Sequence, residues 1–362
     1  MSTQRGKRLR IRRGDGTRTL ANGELEFDYV NSKLRVGDGT SVGGIGLSGQ
    51  SGFNLTRASA GYVFPSESPG IVERSQVQGT TAGYASGGYT DAPVNTIDKF
   101  SFSSDADATD VGDLTQARQQ AEGHSSSSHG YTSGGLGPPV STIIDKFPFS
   151  SDSNASDVGD LSLSTQRHTG HSSTTDGYTG GGSPTPRYPH IQKFPFSSDA
   201  NATQIGVLAE PRYEATGVSS TSHGYVAGGQ PGGGGTNTIE KFPFSSDTDG
   251  TDIADLFQTI IAASGQNSLT HGYVSGGNSP PYVNTIQKFP FSSDANASDV
   301  GELTGVKQDA AGQSSTTSGY VAGGMTPSNT DVIEKFPFSS DSNASDIANL
   351  TVSRRRAAGQ QV

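Results

Sequence analysis

The sequence predicts an all-β chain whose main body is a six-bladed β-propeller with four-stranded blades. Three observations carry that expectation. The segment KFPFSSD begins at Lys99 (with Ser101 in place of Pro), Lys146, Lys193, Lys241, Lys288 and Lys335, so successive copies start 47 or 48 residues apart. A second segment, GYxxGG, begins at Gly83, Gly130, Gly177, Gly224, Gly272 and Gly319 and keeps the same phase. Around both lie short β-prone runs broken by Gly, Asn, Asp and Pro, with no sustained helical apolar period. Units of this length bury their apolar face by stacking on copies of themselves.

Composition fits a repeat protein. The chain has 362 residues, 50 Gly and only 30% hydrophobic residues. So low an apolar content suits either a disordered chain or small, regular buried patches, and two markers locked in phase six times decide for the second. With no Cys, disulfides and thiolate chemistry are excluded. No apolar run approaches the roughly 18 residues of a membrane span, so no membrane insertion is expected. The first 14 residues carry Arg5, Lys7, Arg8, Arg10, Arg12 and Arg13 and no acid, and lack the apolar core of a secretory signal. The remainder is acidic, with a net charge of −10 overall, so nucleic acid is not an expected partner.

Within one repeat the elements follow in order. A Ser/Thr-rich run such as GQSSTTS leads into GYVAGG, and a loop of variable content follows. Next comes a strand such as VIEKFPF, whose two Phe lie two apart and share one strand face. These Phe are expected to supply the contacts between blades, while the intervening Pro suits a strand end. Asp152-Ser-Asn154-Ala-Ser-Asp157 and its copies have turn chemistry, because Asx side chains bond the backbone locally. Val158 and Leu161, or Ile347 and Leu350, then give an outer strand its few apolar contacts, and a basic residue usually follows four positions later.

Arg118, GHSSSSH, GYTSGG, IIDKFPF and DVGDL together resemble the kelch repeat, and the resemblance spans about residues 80–362. The Trp of the kelch outer strand is missing; Val111, Val158, Ile205, Ile253, Val300 and Ile347 stand near its place. The Gly/Ser strands also resemble the seven-bladed chromosome-condensation regulators, although six copies favour six blades. Kelch-type copper oxidases need a Cys–Tyr cofactor, which this chain cannot make. One further period from Gly319 would put the next GYxxGG just past Val362. The terminal AAGQQV is therefore expected to add a strand to the blade begun at Gly83, closing the ring.

The chain is thus expected to divide into a basic tail (1–14), a small β-hairpin module (15–50), a linker (51–79) and the propeller (80–362). In the module Leu25, Phe27 and Tyr29 alternate with acids, Asn31-Ser32 turns the chain, and Leu34 and Val36 lie on the return strand. So small a hairpin needs partners. Upstream, Leu9 and Ile11 alternate with Arg and suit a strand added to a partner's sheet edge. The LANGELEFDY…KLRVGDG pattern resembles the N-terminal modules of phage tail-fibre and tropism-determinant proteins. That resemblance implies attachment to other tail or baseplate proteins, homotrimerisation through the module, and a place on the virion exterior.

No metal or cofactor is expected. The SSDSNASD turn lacks the Gly and Trp of a sialidase Asp-box and the glycine and distal Glu of an EF-hand. His129, His223 and His271 recur before GY, which speaks for structure, and no cluster of acid, base and Arg stands out from the repeats. A glycan-active enzyme is therefore disfavoured. The loops after Gly-Gly differ in every repeat and gather on one face of a propeller, a common arrangement for binding a receptor or glycan. Tyr89, Tyr188 and Tyr282 are the expected anchors. The chain reads as a non-enzymatic virion receptor-binding component; the alternative is a cellular kelch-like interaction propeller.

Overall fold

Each repeat folds into one four-stranded antiparallel sheet. Blade 2 is representative: Glu122–Ser125, His129–Ser133, Ile143–Pro148 and Ser156–Asp160 lie side by side in chain order. Four blades are built from consecutive strands in this way, and a fifth carries a two-stranded ribbon, Met325–Thr326 with Ser328–Asn329, between its second and third strands. The first is composite. Ala82–Ser86, Thr96–Ser101 and Thr109–Asp113 take their innermost strand, Ala358–Gln361, from the other end of the chain, with Gln360 registered against Tyr84. The expected closure is observed, and the propeller has six blades.

The computed structural model describes residues 78–183 and 187–362 in full. The chain divides into two units, Met1–Glu73 and Arg74–Val362. In the first, only the backbone of short strands is described, at Arg12–Gly14, Leu25–Asp28, Lys33–Val36, Ile45–Gly46, Arg57–Ala58 and Gly61–Tyr62. Leu9, Ile11 and Tyr29, and the side chains of Leu25, Phe27, Leu34 and Val36, lie outside the described residues.

The repeated motifs are the contacts between blades. Tyr131 of GY stacks on Phe196 of the next blade at 4.7 Å and meets Phe194 at 5.8 Å. The same triad recurs around the ring, ending with Tyr320 on Phe102 and Phe100 of blade 1. The Phe pairs thus do join the blades, but onto a tyrosine that the sequence reading had not assigned. Pro148 ends its strand, as its missing N–H requires. Gly-Gly turns the chain with left-handed torsions, φ 60° at Gly134 and 97° at Gly135, which side chains resist. Lys and Asp of KFPFSSD pair across blades: Lys146 Nζ reaches Asp199 at 2.8 Å and Lys99 reaches Asp152 at 3.0 Å. Asn154 accepts from the backbone N–H of Asp113. The Asx turn is therefore also a clasp on the preceding blade.

Beneath the loops lies a charge pattern with a simple rule. Asp145, on the third strand of blade 2, is wholly buried and pairs at 3.0 Å with the equally buried Arg118. A β-bulge between Ile144 and Asp145 accompanies this position, as in every blade, and bulges re-aim side chains. The equivalent pairs are Arg354–Asp98, Arg212–Glu240 and Lys307–Glu334. In the two remaining blades the cation position holds Thr165 and Ile260, and the acid is replaced by the amides Gln192 and Gln287. Each acid at this position has its cation, and where the cation is lost the acid is lost with it. An unmatched buried carboxylate is costly, which explains the joint change.

Candidate functional site at the axial mouth

The innermost strands converge on the axis through a ring of glycines. A Cβ on Gly123 would lie 2.0 Å from the Gly359 carbonyl oxygen, and those on Gly170, Gly217, Gly265, Gly312 and Gly359 would meet the preceding glycine's oxygen at 2.1–2.6 Å. Only glycine permits this approach. At one end of the strands serine and asparagine side chains link the blades: Ser172 Oγ accepts from Ser125 N, Ser219 Oγ from Ser172 N, and Asn267 Oδ1 from Ser219 N. The chain joins the propeller at this end. Gln78 donates to the carbonyls of Asn267 and Ser315, and Gly79 N donates to Ser314 O.

The opposite end is the mouth, where the variable loops lie. Each loop bridges to the segment leading into an innermost strand, as Leu136 does to Gln119 and Ser183 to Gln166. Tyr89, Tyr188 and Tyr282 all sit in these loops and all are half-buried. Arg355 covers the Tyr89 ring at 5.0 Å, while Tyr188 lies 5.6 Å from His190. The three tyrosines occupy separate blades and are not brought into one cluster by any contact between them.

What does converge is a column of residues one step inside the loops. Among the described residues, Gln120, Arg167, Glu214, Ala262, Asp309 and Arg356 are the six non-glycine residues with left-handed torsions, φ 53–60°. Their backbones close a circle: Arg167 N donates to Gln120 O, Glu214 to Arg167, Ala262 to Glu214, Asp309 to Ala262, Arg356 to Asp309, and Gln120 to Arg356. Strained torsions persist where surroundings impose them, and they concentrate at functional sites. The side chains form a polarised rim. Arg167 meets Glu214 at 2.7 Å and Arg356 meets Asp309 at 3.2 Å. With its amide oriented to suit both neighbours, Gln120 accepts from Arg167 and Arg356. Across the mouth, Ala262 leaves a gap between the two acids. Burial raises the pKa of Glu214 and Asp309, while the arginines beside them pull it back.

Below the rim is a collar of Ala121, Ala215, Ala263, Ala310 and Ala357 with His168 as its sixth member, and below that Glu122. Rim, collar and Glu122 enclose a cavity of about 70 Å³. Glu122 also borders a second, hydroxyl-rich chamber of about 100 Å³ farther along the axis. Its carboxylate makes no hydrogen bond or ion pair among the described residues, and enclosure alone pushes its pKa up to about 8. Beside it three buried histidines tie blades 2, 3 and 4. His124 Nδ1 donates to His171 O, His171 Nδ1 to Val218 O, and Ser133 Oγ links His124 to His168. Burial lowers His124 to about 4 and His168 and His171 to about 3. His168 Nδ1 has no partner.

The expectation that no acid, base and Arg residues cluster is therefore corrected. Arg167, His168, Glu214, Asp309, Arg356 and Glu122 meet on the axis. Each breaks the repeat, but in the sequence they stand about one period apart and look solitary. Reading equivalent positions as a column would have shown Q, R, E, A, D, R. Among the described residues no group of three or more His, Cys, Asp or Glu is placed to hold a metal. No known protein-family profile matches the chain, and no curated protein does either.

Proposed function

We propose that the chain is a non-enzymatic binding protein of a phage virion, a tail-fibre or receptor-binding component on the virion exterior. In this reading the N-terminal module attaches to tail or baseplate proteins, with trimerisation through that module. The propeller turns its variable-loop face to a host receptor or glycan. One observation supports the arrangement above others. Gln78 and Gly79 hydrogen-bond to the ring at the end opposite the loops, so the chain enters the propeller away from its variable face. The virion setting rests on the resemblance of residues 15–50 to tail-fibre modules. Antibody labelling of purified particles tests it. Label on an exterior tail structure is the expected result, and particles free of the protein would contradict it. Adsorption of the isolated 74–362 unit to host cells, lost when the Tyr188 loop is exchanged for the Tyr282 loop, tests the binding face.

A further inference from the structure

Cations in the propeller follow a rule that two arginines break. Among the described residues, every lysine and arginine except Arg187 and Arg355 pairs with a carboxylate. Carboxylates are not scarce, since exposed acids such as Asp110, Asp157, Asp252 and Asp299 line the outer strands. Both unmatched arginines stand instead on the variable-loop face.

The two places share a construction. Arg187, from the loop of blade 3, lies over the Tyr213 ring at 4.9 Å and donates through Nη2 to Gly232 O in the loop of blade 4. Arg355 lies over the Tyr89 ring at 5.0 Å and donates through Nη1 to Met325 Sδ and Asn329 Oδ1. Tyr213 and Arg355 hold the same place in the repeat, one residue before the rim, where the other blades have Gln119, Gln166, Ile261 and Gln308. The pair is thus made twice, with the arginine supplied by a loop in one case and by the segment entering a blade in the other. Tyr213 bridges to the loop of blade 4 and Arg355 to the loop of blade 1, so in a ring of six blades the pairs lie on opposite sides of the mouth.

Stacking on a ring holds a guanidinium by its face and leaves its in-plane N–H groups available. Arg187 Nη1 and Arg355 Nη2 are open to solvent and have no acceptor among the described residues. The rim acids do not neutralise these arginines. Glu214 is matched by Arg167, and Asp309, which also feels Arg355, is matched by Arg356. Each place therefore offers one held guanidinium and one positive charge left over. A carboxylate, planar and singly charged, fits that fork. A phosphate monoester, with a charge of about −1.5 to −2, does not match it.

We propose that Arg187 and Arg355 are two carboxylate subsites of the variable face, which takes a glycan bearing acidic sugars of the uronate or sialate class. This rests on the reading of that face as the surface that binds a receptor or glycan. A polymer with carboxylates recurring along its length engages both subsites at once, and the exposed acids of the outer strands repel it from the perimeter.

Calorimetry on the full chain tests this with tetragalacturonate and a sialic acid tetramer as probes. Their methyl esters, maltotetraose and a glycerol-phosphate tetramer are the controls. The expected result is saturable binding of a carboxylated tetramer alone, weakened by salt, and the tighter of the two identifies the sugar class. With that probe, Arg187→Gln and Arg355→Gln should each weaken binding about tenfold, as loss of a charge-assisted bond does, with the fold verified by circular dichroism. Arg187→Lys, which keeps the charge and loses the fork, should also bind less tightly than wild type. Lys193→Gln removes a positive charge from the ion pair with Asp247 between blades and should leave binding unchanged. Binding of neither carboxylated tetramer, equal binding of the ester or phosphodiester, or equal binding by wild type and both glutamine variants would overturn the proposal. Host-cell adsorption by the full chain separates this from the reading beneath it. Adsorption that persists in both glutamine variants overturns the subsites and keeps the binding face, whereas no adsorption by wild type overturns both.

Discussion

Arg118 and Asp145 meet at 3.0 Å with neither side chain accessible to solvent, and the same chain holds Thr165 with Gln192 at the equivalent positions one blade later. The protein thus contains both the charged and the neutral version of one interaction. The pair fixes the connection into blade 2, because Arg118 also donates to Thr132 O and Asp145 accepts from Thr115 N and Oγ1.

Arg118→Thr alone should destabilise the propeller by about 3–5 kcal/mol, since it strands a buried carboxylate. The double variant Arg118→Thr with Asp145→Gln, copied from blade 3, should recover most of that loss. Denaturant unfolding of the four proteins of the cycle measures it. A double variant no more stable than the single one would show that the charge rule has another cause.

Acid should loosen the ring through His124, His168 and His171. Their folded pKa values, about 4, 3 and 3, lie below the ordinary 6.5, so their stabilising effect is complete above pH 6.5 and is lost as pH falls. Each contributes about 1.4 kcal/mol per pH unit over the window in which only the unfolded chain takes up its proton. Glu122 acts in the opposite sense: with its pKa raised from 4.5 to about 8, it costs stability as pH rises through that interval. Between pH 5 and 6 the net dependence from these four groups is about two protons. Replacing the histidines by what other blades carry, His124→Gln, His171→Gln and His168→Ala, should abolish the acid sensitivity. An unchanged dependence of unfolding midpoint on pH would contradict the assignment.

The axial glycines tolerate no side chain. Gly123→Ala places a methyl 2.0 Å from the Gly359 carbonyl oxygen, a backbone atom that cannot swing aside. A loss of about 1–3 kcal/mol or more is expected from such overpacking. Gly232, whose added Cβ would meet nothing within 4 Å, is the control and should accept Ala with little change. Thermal unfolding of both variants separates close approach from a general cost of removing glycine.

Much of this fold was legible because the repeat is nearly exact where blades touch. KFPF and GY recur with their partners in phase, so Phe147 and Phe149 could be assigned to an interface before any coordinate was known. Tyr131 was harder to place, since its partner Phe196 lies in the next copy. The axial site was illegible for the opposite reason. Arg167, Glu214 and Asp309 contact neighbours one period away, and the column they belong to changes residue from each blade to the next. Repetition marks what holds the ring together, whereas the rim and Glu122 are marked by its failure. His129 and His168 show the contrast. The first recurs and bonds its neighbour Ser128, while the second stands where five blades have alanine.

The central claim is a ring whose last strand completes its first blade, and a disulfide tests it most directly. The chain has no cysteine, so Ser86→Cys with Ala358→Cys introduces the only two thiols. Ser86 and Ala358 are direct partners in the closing ladder, and opposed residues on antiparallel strands bring their Cβ atoms to about 4.5–5.5 Å, close enough for a disulfide to form with slight adjustment. Mild oxidation of the folded monomer should give one intramolecular disulfide and a marked rise in unfolding temperature, while Ser275→Cys with Ala358→Cys gives none. Two free thiols at positions 86 and 358 in a folded monomer, or a bond formed only between molecules, would contradict the closed ring.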